Sequence, residues 1–235
     1  MNEIPPRLQD RRLFDLAGAD PNRRFSPYCW RVRMALAHKG LAVETIPWRF
    51  TDKAAIEFTG QGRVPVLVDG DNAVFDSWSI AQYLETTYPD RPSLFAGAMA
   101  VTCFINAWGD RTLMPAVASL IVSDVFSELH EGDRDYFRQS RERAFGRSLE
   151  AVTEGREDRV IGFRQLIEPL RTTLRAQPFL AGETPGYADY IPFGVLQWAR
   201  CVSPFRLLVE DDPVFAWRDK LLDLFDGLAR NVPAY

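Results

Sequence analysis

Ser26-Pro27-Tyr28-Cys29 carries the residues best placed to do chemistry. Ser26 is a preferred helix N-cap, because its oxygen takes a free backbone N–H. Pro27 suits the first helical position, where its missing N–H costs nothing. A hydroxyl there stands at the positive end of a helix, and that end favours an anion such as a thiolate. Ser-Pro also opens many helices that do no chemistry, so the serine is read together with two other groups. Pro65 opens the strand-like run Val64–Val68, although proline cannot donate to a ladder. It is either an edge-strand proline or the second half of a cis pair that turns the Val64 backbone outward, toward an extended peptide. Asp76-Ser77 brings a carboxylate, a hydroxyl and free helix N–H groups to one spot. That suits a ligand with both an ammonium and a carboxylate; a plain helix cap is the other reading. Ser26-x-x-Cys29 looks like a redox pair lacking its first cysteine. No dithiol cycle is possible, and Cys29 is expected to be a buried thiol.

The elements that must hold these groups alternate through the first ninety residues. Leu13–Ala17 reads as a strand, and a helix runs from the Ser26-Pro27 start to a Gly40 stop. Ala42–Trp48 is a strand, and Thr51–Phe58 a short helix capped by Thr51 or Asp52. Val64–Val68 and Ala73–Phe75 form a hairpin around Asp69-Gly70-Asp71-Asn72, since Asp-Gly tolerates positive φ. Ser77–Tyr88 is a helix, and Pro89 and Pro92 end it. From Ala98 onward no strand pattern appears. Val101–Phe126 has helical spacing with a bend expected at Pro115, and Asp133–Val152 and Arg159–Arg175 are amphipathic. Tyr187–Cys201 is apolar all round and reads as a buried central helix, and a last helix starts at Asp212-Pro213. The expected fold class is α/β plus all-α: β-α-β-α-β-β-α over residues 1–90, then a helical domain over 91–235.

Bulk properties narrow the function. The 235 residues are 46% hydrophobic, enough for a sizeable core, and net charge is -4. No basic stripe appears, so a nucleic-acid partner is not expected. No apolar run is long enough to span a bilayer, and Met1–Arg12 has no apolar signal region. Cys29, Cys103 and Cys201 lie far apart, and with only His38 and His130 they make no zinc spacing. A reducing, cytoplasmic setting is expected.

On Ser26, Val64-Pro65, Asp76-Ser77 and Arg63 the chain resembles the glutathione transferase superfamily, over nearly its whole length. The resemblance implies a thioredoxin-like domain followed by a helical one, with glutathione as co-substrate. It places Ser26 at the glutathione sulfur and Val64-Pro65 at the cysteinyl backbone. Asp76 and Ser77 fall at the γ-glutamyl end, and Arg63 at the glycyl carboxylate. A free thiol titrates near ~8.5, and each unit of lowering is worth about 1.4 kcal/mol. A hydroxyl donor at a helix end supplies such lowering without acting as a base.

Trp30-Arg31-Val32-Arg33 resembles the helix of zeta-class maleylacetoacetate isomerases, but Tyr28 stands where that class has its cysteine. A further resemblance, to bacterial glutathione-dependent β-etherases, runs through Phe25–Leu41, Arg49–Lys53, Asp76–Trp78, Gln197–Phe205 and Asp212–Arg218. It implies attack of the glutathione thiolate on a hydrophobic aromatic electrophile, with cleavage of a β-aryl ether. Alternatives are a non-catalytic glutathione or aromatic ligand-binding protein, or maleylacetoacetate isomerase-like activity. The second-substrate pocket is expected between the domains at Tyr28, Trp108, Pro115, Trp198 and Cys201, and relatives imply a homodimer. The superfamily's Ser or Thr cap is replaced by Gly186 ahead of Asp189. Gly caps nearly as well, so a loss of only tenths of a kcal/mol is expected.

Overall fold

A computed structural model describes residues 11–235; the Met1–Asp10 part of the N-terminal stretch lies outside them. The sheet has four strands, β1 (Arg11–Leu16), β2 (Glu44–Trp48), β3 (Val66–Asp69) and β4 (Asn72–Phe75), in the order β2-β1-β3-β4. β1 pairs parallel with β2 and antiparallel with β3, and β3 pairs antiparallel with β4. Leu13, Phe14 and Leu16 of β1 are all buried, as a central strand covered on both faces requires. Phe14 meets Phe58 of a 3-10 helix over Lys53–Thr59, ring centroids 6.1 Å apart. The thioredoxin-like half is completed by α1 (Pro27–His38) and α2 (Ser77–Thr87).

The helical half holds α3 (Met99–Trp108), α4 (Met114–Ser127), α5 (Glu131–Phe145), α6 (Leu149–Thr153), α7 (Arg156–Leu166), α8 (Glu168–Ala176), α9 (Tyr187–Val202) and α10 (Pro213–Gly227). Three sequence expectations change. Val101–Phe126 is two helices joined by a π-helical turn over Gly109–Leu113, because Pro115 at the start of α4 donates no N–H to the turn before it. Asp133–Val152 splits because Gly146 takes a left-handed conformation (φ 70°) and Ser148 caps a new helix. Arg159–Arg175 breaks ahead of Pro169.

Helix α9 is the axis of the molecule. Every residue from Tyr187 to Ala199 is buried, and it packs along α1. A Cβ on Gly194 would come within 2.4 Å of the Pro27 carbonyl oxygen, so only glycine allows this approach. Asp189, fully buried, accepts the N–H groups of Leu180, Ala181 and Gly186 at 2.7, 3.1 and 3.0 Å, and the Trp217 indole N–H at 2.9 Å. The two halves are also joined through Asp133 of α5. Its carboxylate accepts Phe50 N–H (3.2 Å), Thr51 N–H (2.9 Å) and the Thr51 hydroxyl (2.8 Å), fixing the loop after β2.

Candidate active site

Ser26 is the N-cap of α1: its oxygen accepts the Cys29 N–H at 3.2 Å. That bond uses a lone pair and leaves the hydroxyl proton to donate elsewhere. Ser26 is only 4% exposed, yet it lines a cavity of about 430 Å³ between the sheet and the helical half. Cys29 behind it is fully buried; burial, with the Asp15 charge adding, raises its pKa well above the ordinary thiol value. It therefore stays protonated near neutral pH and is a poor nucleophile.

Arg63 and Val64 reach the same cavity. The Val64–Pro65 bond is cis, and Val66 resumes the ladder opposite Phe14. Among the described residues neither the N–H nor the C=O of Val64 has a hydrogen-bond partner in the protein. Of the two readings of Pro65, the cis pair is the one present. Lys53 stands beside this segment and donates to the Gly62 carbonyl at 2.6 Å.

Asp76 caps α2, and one carboxylate oxygen, Oδ1, accepts both Trp78 N–H and Ser79 N–H at 3.0 Å. Its backbone is at φ 72°, ψ 129°, a conformation that non-glycine residues rarely take and one that costs on the order of 1–3 kcal/mol. Such strain clusters at functional sites. Ser77 is buried, and its carbonyl accepts the Tyr187 hydroxyl at 2.7 Å. Asp76 and Ser77 stand outside the lining of the cavity. The Asp76 charge still bears on Tyr28: burial first, then Asp110 and Asp76, raise the phenol pKa, against the pull of Arg31. Tyr28 therefore enters as a neutral hydroxyl, its ring centroid 4.7 Å from the Arg31 guanidinium. That guanidinium is fully buried and donates to Asn106 Oδ1 at 3.0 Å and Asp110 Oδ1 at 2.8 Å.

The second-substrate pocket needs correction. Tyr28 and Trp198 line the cavity; Trp108, Pro115 and Cys201 do not. In α4 the inward stripe is Met114, Ala118, Val122 and Val125, spaced three and four apart, which turns neighbouring Pro115 out to solvent. Trp108 precedes the π-helical turn and packs on the core. Cys201 is fully buried, and burial pushes its thiol up to about 12. The sequence reading missed Phe50, Lys53, Tyr136, Phe137 and Arg141. The last three sit on α5, whose amphipathic sequence does not tell which of its residues meet a cavity and which meet the core. A second cavity, about 450 Å³ near Arg200, Phe205 and Tyr235, holds none of Ser26, Val64 or Asp76.

Comparison with known proteins places the chain in a family. The "Glutathione S-transferase, N-terminal domain" pattern matches residues 21–92, and the "Glutathione S-transferase, C-terminal domain" pattern residues 100–206. The chain belongs to the glutathione S-transferase superfamily. It is 33% identical over 141 residues to the glutathione S-transferase-like protein ustS of Aspergillus flavus, covering 54% of this chain and 50% of that one. It is 44% identical over 69 residues to glutathione S-transferase Z1 of Arabidopsis thaliana, covering 27% of this chain and 31% of that one. The chain thus spans half the length of the first of these relatives and about a third of the second. The transferase fold is shared with a glutathione S-transferase of Ceriporiopsis subvermispora solved with glutathione. The TM-score is 0.81 at 24% identity, over 96% of this chain and 99% of that one. Glutathione transferase GSTFuA3 of Phanerochaete chrysosporium gives a TM-score of 0.79 at 23% identity, over 94% and 98%.

Proposed function

We propose that this transferase uses Ser26 to hold the glutathione thiolate against an aromatic electrophile, and that the reaction is β-aryl ether cleavage. The observation that carries the reading is the Ser26 hydroxyl at the start of α1, lining a cavity walled by Phe50, Tyr136, Phe137 and Trp198. Val64 offers its backbone to the cysteinyl residue. Arg63 meets the glycyl carboxylate, and Asp76, with Oδ2 unused by its cap, meets the γ-glutamyl ammonium together with Ser77. The Ser26 hydroxyl and the α1 dipole favour the thiolate at neutral pH. In an aryl-ether ketone a carbon–sulfur bond forms at the ether carbon next to the ketone, which lowers the barrier to displacement; the bond from that carbon to the aryloxy oxygen breaks, and a phenolate leaves with the electron pair. A phenolate is stable enough to leave without a proton donor.

The division after residue 90, the cytoplasmic setting and a homodimer belong to the same reading. Val101 and Phe104 on α3 are 64% and 73% exposed, and a second copy is their proposed cover. Light scattering should give a dimer for the native chain and a monomer for Phe104→Asp. To test the reaction, the protein with glutathione is incubated with a panel of aryl ethers, aryl halides and maleyl acids and followed by mass spectrometry. A thioether adduct with release of a phenol from the ethers is the expected result. Adducts only from other electrophiles would refute ether cleavage, and isomerised maleyl acids would point to the zeta-like activity.

A further inference from the structure

The cavity lining holds three cations, Lys53, Arg63 and Arg141, and no aspartate or glutamate. Such a lining is unusual for a chain with 32 acidic against 28 basic residues. Lys53 and Arg63 come from the sheet side. Lys53 is tied to the Gly62 carbonyl and lies over the rings of Trp48 and Tyr136, at 4.8 and 5.2 Å. Arg63 adjoins the cis pair, where the tripeptide's glycyl carboxylate is expected. Arg141 comes from α5 of the helical half. Its guanidinium lies 5.1 Å from the Phe137 ring centroid and 5.9 Å from that of Phe50. Its hydrogen bond is to the neighbouring Ser140 hydroxyl at 3.2 Å.

Several interior arginines face acids: Arg31 faces Asp110, Arg171 faces Asp212, and Arg24 and Arg33 share Asp15. Half-buried Arg200 instead donates to the Ala229 and Arg230 carbonyls. Among the described residues no carboxylate reaches Arg141 within ion-pair distance. Burial lowers its pKa, with Arg63 adding and Tyr136 and Tyr28 opposing. A guanidinium nonetheless stays charged, and a partly desolvated charge without a counterion is costly. A carboxylate meeting its planar fork offsets that cost through two charge-assisted bonds. The rings beside it supply the apolar wall for an aryl body.

Resting on the proposed function, we infer that the electrophile is an aromatic acid: an aryl compound whose carboxylate is held by Arg141 while its reactive carbon faces Ser26. Arg141 thereby becomes the residue that selects charged over neutral aryl substrates.

The test is equilibrium binding, which needs no turnover. 4-Phenoxybenzoate and 4-phenoxybenzamide are titrated into the full chain and followed by tryptophan fluorescence, since Trp48 and Trp198 line the cavity. The acid should bind at least tenfold more tightly than the amide, about 1.4 kcal/mol. Arg141→Met should abolish the preference by weakening the acid alone, and Arg141→Lys should keep part of it. Thermal unfolding of each variant checks that it is folded, and Arg141→Lys carries the test if Arg141→Met is not. Equal binding of acid and amide, binding of neither, or a preference that survives in Arg141→Met overturns the inference. Absence of glutathione binding to the native chain would instead overturn the proposed function and leave the acid-against-amide result readable.

Discussion

Ser26 has two roles in this reading: it caps α1, and its hydroxyl lines the cavity as the proposed donor to the thiolate. Ser26→Ala separates them. Losing the cap should cost about 1 kcal/mol of stability, read by denaturant unfolding. Losing the donor should raise the bound glutathione thiol pKa by about one unit or more, read by thiolate absorbance against pH, since each unit is about 1.4 kcal/mol. An unchanged thiol pKa would leave Ser26 a cap and nothing more. The caps at Ser26 and Asp76 and the special proline at Val64-Pro65 were legible in the sequence because each is a backbone event. Backbone events have short sequence signatures. Trp108, Pro115 and Cys201 failed as pocket residues because which side of a helix faces a cavity is decided by its neighbours. Arg141 was invisible for the same reason.

At the scale of elements, the strands and α1, α2 and α9 followed their local signals, whereas the breaks at Gly146 and Pro169 were hidden inside continuous amphipathic runs. Gly186 shows how local reasoning can be right about capping and incomplete about packing. A Cβ there would lie 2.9 Å from Ala181 Cβ and 3.1 Å from the Leu94 carbonyl oxygen. Gly186→Ser, which restores the family's cap residue, should therefore lower stability by about 1–3 kcal/mol instead of raising it, measured as a fall in denaturant midpoint. Gly194→Ala should act further away. Its methyl would meet the Pro27 carbonyl and push α9 from the start of α1. The expected outcome is a similar loss of stability together with weaker glutathione binding by calorimetry, although residue 194 lies outside the cavity lining.

For the whole molecule, His38 is a junction. Its Nδ1 pairs with the Tyr190 hydroxyl at 2.7 Å and its Nε2 with the Ser93 carbonyl at 3.1 Å, joining α1, α9 and the connection between the halves. Burial lowers its pKa, with Lys39 adding, against the Ser93 carbonyl and Glu85. The unfolded chain takes up this proton near ~6.5 and the folded chain only below that. The contribution of His38 is therefore complete above pH ~6.5 and is lost as pH falls through the folded value. Denaturant midpoints measured from pH 7.5 down to pH 5 should fall, and His38→Gln should flatten that slope.

The Asp133 carboxylate, buried at the start of α5, holds the backbone on which Phe50 and Lys53 depend. One wall of the cavity thus owes its shape to a side chain 82 residues further along the chain than Thr51. Chimeras that graft this sheet half onto another transferase's helices should bind ligand only if the donor supplies an acid at the matching position, so the two halves have to be inherited as a matched set.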